Sequence, residues 1–327
     1  MFFVISGFLI AGLLLNEYKQ TQRIKPFYFL IRRGLKIYPL FYFAVLFHLL
    51  YFYLKQIPIT SSQIFAEIFF YQNYVPGIIG ISWSLAVEEH FYFLLAFLFF
   101  LASRRNLFAK RNFIPLCILI VCCVCLLLRI AVYDPANDNL YRNFFPTQLR
   151  IDSIAFGVLL SYWFTYNQAG FFLFFKKNIV GLLIIAILFI TPVFAWDFKS
   201  FFISTFGHTL LYLGFGIILS SMIVFSSTIE EALRITRLSF IFKTIAWIGI
   251  YCFGIYLFHL KIGFIVSNWV RVHIISSLPR TGYFVIYLAA NIAAGVFFTW
   301  IIERPFLMIR ARYFPGASGV KITEPSK

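Results

Sequence analysis

An all-α, polytopic membrane helix bundle is the fold class this sequence predicts, on three observations. Of 327 residues, 61% are hydrophobic and only 12% charged, whereas a soluble domain carries about a quarter charged residues. The apolar residues gather into runs near the ~20 residues that a bilayer demands. The 28 Lys and Arg, against 12 Asp and Glu, collect in the short segments between those runs. That is the pattern of the positive-inside rule, and it accounts for the net charge of +16 without nucleic acid.

Nine spans are expected, at 1–15, 37–54, 83–101, 113–133, 149–167, 179–195, 205–225, 244–260 and 282–302. The first starts at Met1 with no basic flank, so it does not read as a signal peptide, which needs a positive n-region. The second comes after the basic run Arg32-Arg33-Gly34-Leu35-Lys36. The third carries Glu88, Glu89 and His90 into apolar surroundings, where each such group costs a few kcal/mol unless paired or wet. The fourth holds Cys117, Cys122, Cys123 and Cys125, which read as small hydrophobes. No His or carboxylate accompanies them within that run, so no metal site is expected. The fifth opens with Arg150 and Asp152, the eighth ends at His259, and the ninth closes at Glu303. Segments 61–71 and 262–275 are weaker apolar stretches, read as interfacial helices on the outer side. The whole makes one transmembrane domain, 1–305, and a short cytoplasmic tail, 306–327.

Orientation comes from the cations. Twenty of the 28 Lys and Arg lie in 16–36, 102–112, 168–178, 226–243 and 303–327, and six lie in 55–82, 134–148, 196–204 and 261–281. The basic side is expected to be cytoplasmic, which places the C-terminus inside a plasma (inner) membrane. Nine spans then put the N-terminus outside. One further helix upstream would give ten spans with both ends inside, so the sequence reads as one that begins after a first helix.

Several polar groups are candidates for chemistry. Arg32, Arg33 and Lys36 share a helix start and one face, and their charge suits the phosphates of a cytosolic donor or simply sets topology. Glu88 is a functional group or a helix-end anchor. Arg150 and Asp152 lie two apart and do not share a helical face; the acid is free to pair with the arginine or with a substrate group, or both anchor the interface. His259, with Tyr251 and Tyr256 on its helix, is a general base, a hydrogen-bond donor or an interface residue. Glu303 orients the basic cluster or caps the helix exit.

In order along the chain stand Phe2-Phe3-Val4-Ile5-Ser6-Gly7-Phe8-Leu9-Ile10, Arg32-Arg33 through Pro39, and Ser82-Trp83-Ser84-Leu85 with Glu88, Phe91 and Tyr92. Arg150-Ile151-Asp152 with Gly157, the run Gly249…Tyr256…His259, and Glu303-Arg304-Pro305 complete the order. Together they resemble the acyltransferase 3 membrane proteins, which O-acylate surface glycans and some small molecules, over nearly the whole chain. The resemblance implies transfer of an acyl group, often acetyl, from cytosolic acyl-CoA to a hydroxyl on an extracytoplasmic carbohydrate acceptor, with membrane lipid as surroundings and no metal. It implies that Arg32, Arg33 and Lys36 hold the donor and that Glu88, His259 and Glu303 are catalytic. Trp83, Ser84, Arg150, Asp152 and Tyr256 would contact the acceptor. Lys36 stands where the family commonly has a third Arg, which replaces a guanidinium fork by a point charge. The family's first helix carries an Arg and a His thought to be catalytic, and none of His48, His90, His208, His259 or His273 occupies that place.

Two other readings use the same residues. In one, the polar groups line the conduit of a transporter or flippase for a lipid-linked saccharide; the scarcity of internal repeats and broken helices speaks against it. In the other, the chain is a truncated, inactive relative acting as a subunit. Acyl-CoA-dependent labelling of an acceptor separates both from the enzyme.

Overall fold

The computed structural model describes residues 1–110, 112–137, 139–275 and 277–315. The α-helices, in chain order, are α1 (Phe2–Thr21), α2 (Pro26–Leu54), α3 (Ser61–Ile68), α4 (Trp83–Arg104), α5 (Phe113–Val132), α6 (Leu140–Asn143), α7 (Ile151–Tyr166) and α8 (Gln168–Ile190). They continue as α9 (Pro192–Ala195), α10 (His208–Val224), α11 (Ser226–Ile235), α12 (Ser239–Ile250), α13 (Cys252–Phe258), α14 (Ile262–His273), α15 (Arg280–Phe298) and α16 (Arg304–Tyr313). Two five-residue π-turns, Ile203–Gly207 and Thr299–Glu303, lead into α10 and α16. No strand occurs among the described residues.

Among the described residues, seven segments are helical, long and apolar enough to cross a bilayer, and α12 with α13, bent by 62° at their break, make an eighth if the pair is one broken span. The expected span at 149–167 is the one that differs. It forms α7, of 16 residues, which at ~1.5 Å per residue reaches about 24 Å, short of a hydrocarbon core of ~30 Å. Its surface says why it is apolar nonetheless: Asp152, Ile154, Gly157, Val158 and Ser161 are all buried against neighbouring helices. α7 is a core helix, and burial in protein reads in sequence much as burial in lipid does.

The second expected span begins earlier than its apolar run. Pro26 opens α2, a position where its missing N–H leaves nothing unsatisfied, so Arg32, Arg33 and Lys36 lie within the helix and not at its start. The expected interfacial segments are α3 and α14. On α14, Phe264, Trp269 and Val272 are exposed on a helix that also carries Arg271 and His273. α16 runs into the expected tail as far as Tyr313; residues 316–327 of that tail lie outside the described residues.

The described residues divide into two compact units, one formed by Met1–Leu30 with Ser61–Ile229, the other by Ile31–Thr60 with 230–315. In the first, α1 packs along α7. Gly7 and Gly157 set that contact. A Cβ at Gly7 would stand 2.0 Å from the Ile154 carbonyl oxygen, and one at Gly157 2.2 Å from that of Val4. Small residues let two helix backbones approach where no hydrophobic effect drives them together. Around this pair Leu14, Leu15, Tyr92, Ala96, Ile154 and Val158 make a closed apolar core. In the second unit, Phe47, Phe258 and Phe298 pack around one another, Phe258 stacking on Phe298 at 4.4 Å.

Candidate functional site

α4 brings the acidic pair inward. Glu88 and Glu89 are both buried, which their position in the first two turns of a long helix makes possible only with local partners. Tyr92, one turn on, donates its hydroxyl to Glu88 Oε2 at 2.7 Å, and the Ser6 hydroxyl of α1 contacts the same phenol oxygen. His90 points elsewhere: its Nδ1 lies 2.7 Å from the Thr147 hydroxyl. Consecutive residues on a helix face different directions, and here they contact different elements.

Arg150 and Asp152 also part company. Asp152 is fully enclosed and pairs with Arg129 of α5 at 2.8 Å, both side chains shut away from the surface. Arg129 further donates to the Leu149 carbonyl at 3.1 Å and to the Thr209 hydroxyl at 2.8 Å. The guanidinium of Arg150 instead lies over aromatic rings, 4.4 Å from that of Phe144, 5.7 Å from Phe3 and 5.8 Å from Trp83. Trp83 in turn stacks on Phe145 at 4.5 Å. Buried aromatic faces attract a cation without neutralising it, so Arg150 keeps its charge beside Trp83 and the half-buried Ser84. Asp152 is paired with Arg129, whereas Arg150 is held among aromatic rings.

In the second unit, Arg32 and Arg33 are half-buried and Lys36 is exposed. Glu303 is buried at the end of the π-turn Thr299–Glu303, within electrostatic reach of Lys36 and Arg310, and Arg310 is within reach of Arg32. The extra residue of a π-turn rotates the next turn of the helix, and it is here that the acid turns into the protein. His259, half-buried, comes directly after α13, with Nδ1 at 2.9 Å from the Tyr256 carbonyl. A carbonyl only accepts, so Nδ1 is the donor in this contact. Tyr256 contributes that carbonyl and a ring centred 6.2 Å from the imidazole.

Sequence reasoning missed two charged residues of the first unit. Arg129 had only its place in an apolar run to mark it. Glu67 lay in a segment read as interfacial, yet it is fully enclosed. Its carboxylate accepts from Ile79 N–H at 2.7 Å and from the Ser82 hydroxyl at 2.9 and 3.0 Å. The signal that could have found both is the same: a lone charge among apolar residues with no neighbour in sequence to pair with. Among the described residues, no group of three or more His, Cys, Asp or Glu is arranged to hold a metal.

The sequence profile of the acyltransferase 3 family, described as an acyltransferase domain, matches residues 1–300. The chain is 26% identical over 290 residues to the peptidoglycan O-acetyltransferase OatA of Listeria monocytogenes, a match covering 80% of this chain and 44% of that protein. It is 32% identical over 177 residues to the O-acetyltransferase OatA of Staphylococcus aureus, covering 49% of this chain and 29% of the relative. The chain thus spans less than half the length of these curated relatives. No solved structure matches it.

Proposed function

Because the chain belongs to the acyltransferase 3 family, we propose that it is a multi-pass plasma-membrane O-acyltransferase, moving an acetyl group from acetyl-CoA to a hydroxyl of an extracytoplasmic carbohydrate. The observation that carries this reading is Glu88, a buried carboxylate oriented by the Tyr92 hydroxyl at 2.7 Å. A sugar hydroxyl is a poor nucleophile and gains from a base held in place. Its oxygen attacks the thioester carbonyl, forming the C–O bond and breaking C–S; the hydroxyl proton passes to the base and returns to the leaving thiolate. The relatives support acetyl as the group and carbohydrate as the acceptor, one being named a peptidoglycan O-acetyltransferase.

In this reading the second unit serves the donor. Arg32 and Arg33 supply guanidinium forks and Lys36 a point charge for the phosphates of coenzyme A, on the cytoplasmic side with the C-terminus. Glu303 orients that cluster, and His259, with Nε2 free of the Tyr256 carbonyl bond, is a second base. The first unit serves the acceptor. Trp83 offers a stacking face, Ser84 and Arg150 offer donors, and Asp152, held by Arg129, fixes the helix end on which Arg150 stands.

Membranes of the host incubated with radiolabelled acetyl-CoA should transfer label to the cell-wall carbohydrate fraction. Glu88→Gln keeps the shape and the Tyr92 contact but cannot take a proton, and should lower transfer by about a hundredfold or more at unchanged expression. Normal transfer by that variant would remove Glu88 from the chemistry. Transfer to no carbohydrate hydroxyl by the native protein would overturn the reading as a whole.

A further inference from the structure

Glu67 stands on the last turn of α3 and is fully enclosed. Its partners are the Ile79 N–H and the Ser82 hydroxyl, and no Lys or Arg pairs with it among the described residues. The loop between α3 and α4 folds back across this carboxylate. At Gly77 a Cβ would come within 2.5 Å of Glu67 Oε1 and 2.7 Å of the Gln72 Cβ, so only glycine lets the loop close. Gln72, also buried, donates its amide to the Ser82 carbonyl at 3.1 Å. That same carbonyl accepts from Leu85 N–H at 3.0 Å and Ala86 N–H at 3.3 Å, the opening bonds of α4. Ser82, the residue before α4, is therefore held by its hydroxyl and by its carbonyl at once.

We propose that Glu67 is a positioning residue for the transfer reaction: through Ser82 it fixes the entry turn of α4, on which Trp83 and Glu88 stand. The proposal rests on the reading of Glu88 as the catalytic base. Glu67 touches neither donor nor acceptor in it. The brace continues past α4, because Asn73 from the same loop donates to the Thr147 hydroxyl at 2.8 Å, and Thr147 is the partner of His90. One short loop thus ties α3, the start of α4 and the segment leading to Arg150.

The choice of a carboxylate has a consequence that an amide would lack. Burial pushes Glu67 up to about 7, outweighing the hydrogen bonds from Ile79, Ser82 and Ile78 that act the other way. Two other titratable groups face this region. The Tyr141 phenol feels the Glu67 charge, and His90 interacts with the Phe70 backbone; neither is a cation paired with it. Both protonation states satisfy the site. The carboxylate accepts from Ile79 and Ser82, whereas the neutral acid donates to Ser82 Oγ and Ser82 turns its own proton to the Ile79 carbonyl at 2.7 Å. Since the folded chain holds this proton more tightly than the unfolded one, its stabilising contribution is complete below the ordinary 4.5 and is lost as pH rises through about 7. Glutamine copies the neutral state at every pH.

The test compares Glu67→Ala and Glu67→Gln with the native protein in detergent or nanodiscs, reading hydrogen exchange of the segment 70–86, thermal unfolding between about pH 5 and about pH 8, and acetyl transfer. Glu67→Ala leaves the buried Ile79 N–H and Ser82 hydroxyl without their acceptor; exchange in 77–86 should rise, and kcat should fall about tenfold with the KM for acetyl-CoA unchanged. Glu67→Gln should restore both exchange and kcat, and should abolish the part of the stability that falls between about pH 5 and about pH 8. Unchanged exchange in Glu67→Ala would overturn the brace. A Glu67→Gln protein as inactive as Glu67→Ala, with native exchange, would overturn positioning in favour of a direct role for the charge. If the native protein transfers no acetyl while the exchange differences appear as expected, the proposed function fails and the brace stands.

Discussion

Four charged residues of the first unit, Glu67, Glu88, Arg129 and Asp152, are enclosed and answered from within, whereas the cluster Arg32, Arg33 and Lys36 of the second is half-buried or exposed. Asp152 and Arg129 are both shut away and meet at 2.8 Å; Glu67 is closed in by its own loop; Glu88 takes the Tyr92 hydroxyl. In the second unit Arg32 and Arg33 are half-buried and Lys36 exposed, and the pair Arg234–Glu231, at 3.7 Å, is exposed on both sides. The contrast comes from the surroundings. A charge in a medium of low dielectric must be paired or hydrogen-bonded to remain ionised, so it becomes part of the fold. A charge at the wet rim contributes little to stability.

Three changes probe that contrast, the most damaging first. Gly7→Leu, or Gly157→Leu, drives a side chain into a carbonyl oxygen of the facing helix. No flexible side chain can yield there, and the expected outcome is loss of folded protein, read as absence of a monodisperse peak after extraction. A folded Gly7→Leu protein would show that α1 and α7 can separate, and that the first unit is less closed than its core implies.

Arg129→Ala comes next. It leaves the Asp152 carboxylate buried without its cation, which should destabilise by about 3–5 kcal/mol, measured by thermal unfolding in detergent. Adding Asp152→Asn should recover much of that loss, since it removes the stranded charge. If the double variant is no better than the single one, the two residues do not answer each other's charge. The smallest effect belongs to the rim. Arg33→Lys keeps the charge but loses the fork, and should raise the KM for acetyl-CoA by about tenfold with kcat and thermal stability near native. A fall in stability comparable to that of Arg129→Ala would place Arg33 among the structural charges and erase the distinction between the units.

Legibility in the sequence followed the same divide. The basic cluster was visible because it lies in consecutive turns of one helix, and Glu88 was visible because a carboxylate in an apolar run has few bland explanations. Asp152 was visible as a charge, but its partner was not. Arg129 is 23 positions earlier, on another helix, and nothing local links the two. Glu67 was hidden because α3 is short and amphipathic, and an acid on such a helix normally faces water. α7 was read as a span because a helix buried in protein on most sides and one buried in lipid have similar composition.

The sequence by itself determined the bundle, the helices and the family, because each rests on local properties: runs of apolar residues, the segregation of cations, and short motifs in order. Only the tertiary structure decided which charges are enclosed and paired and which lie toward the surface. Whether Asp152 meets Arg150, Arg129 or a substrate depends on how α5 packs against α7. Whether Glu67 faces water or a closed loop depends on how the chain returns at Gly77. Burial and pairing are relations between segments distant in sequence, and local pattern carries no record of them.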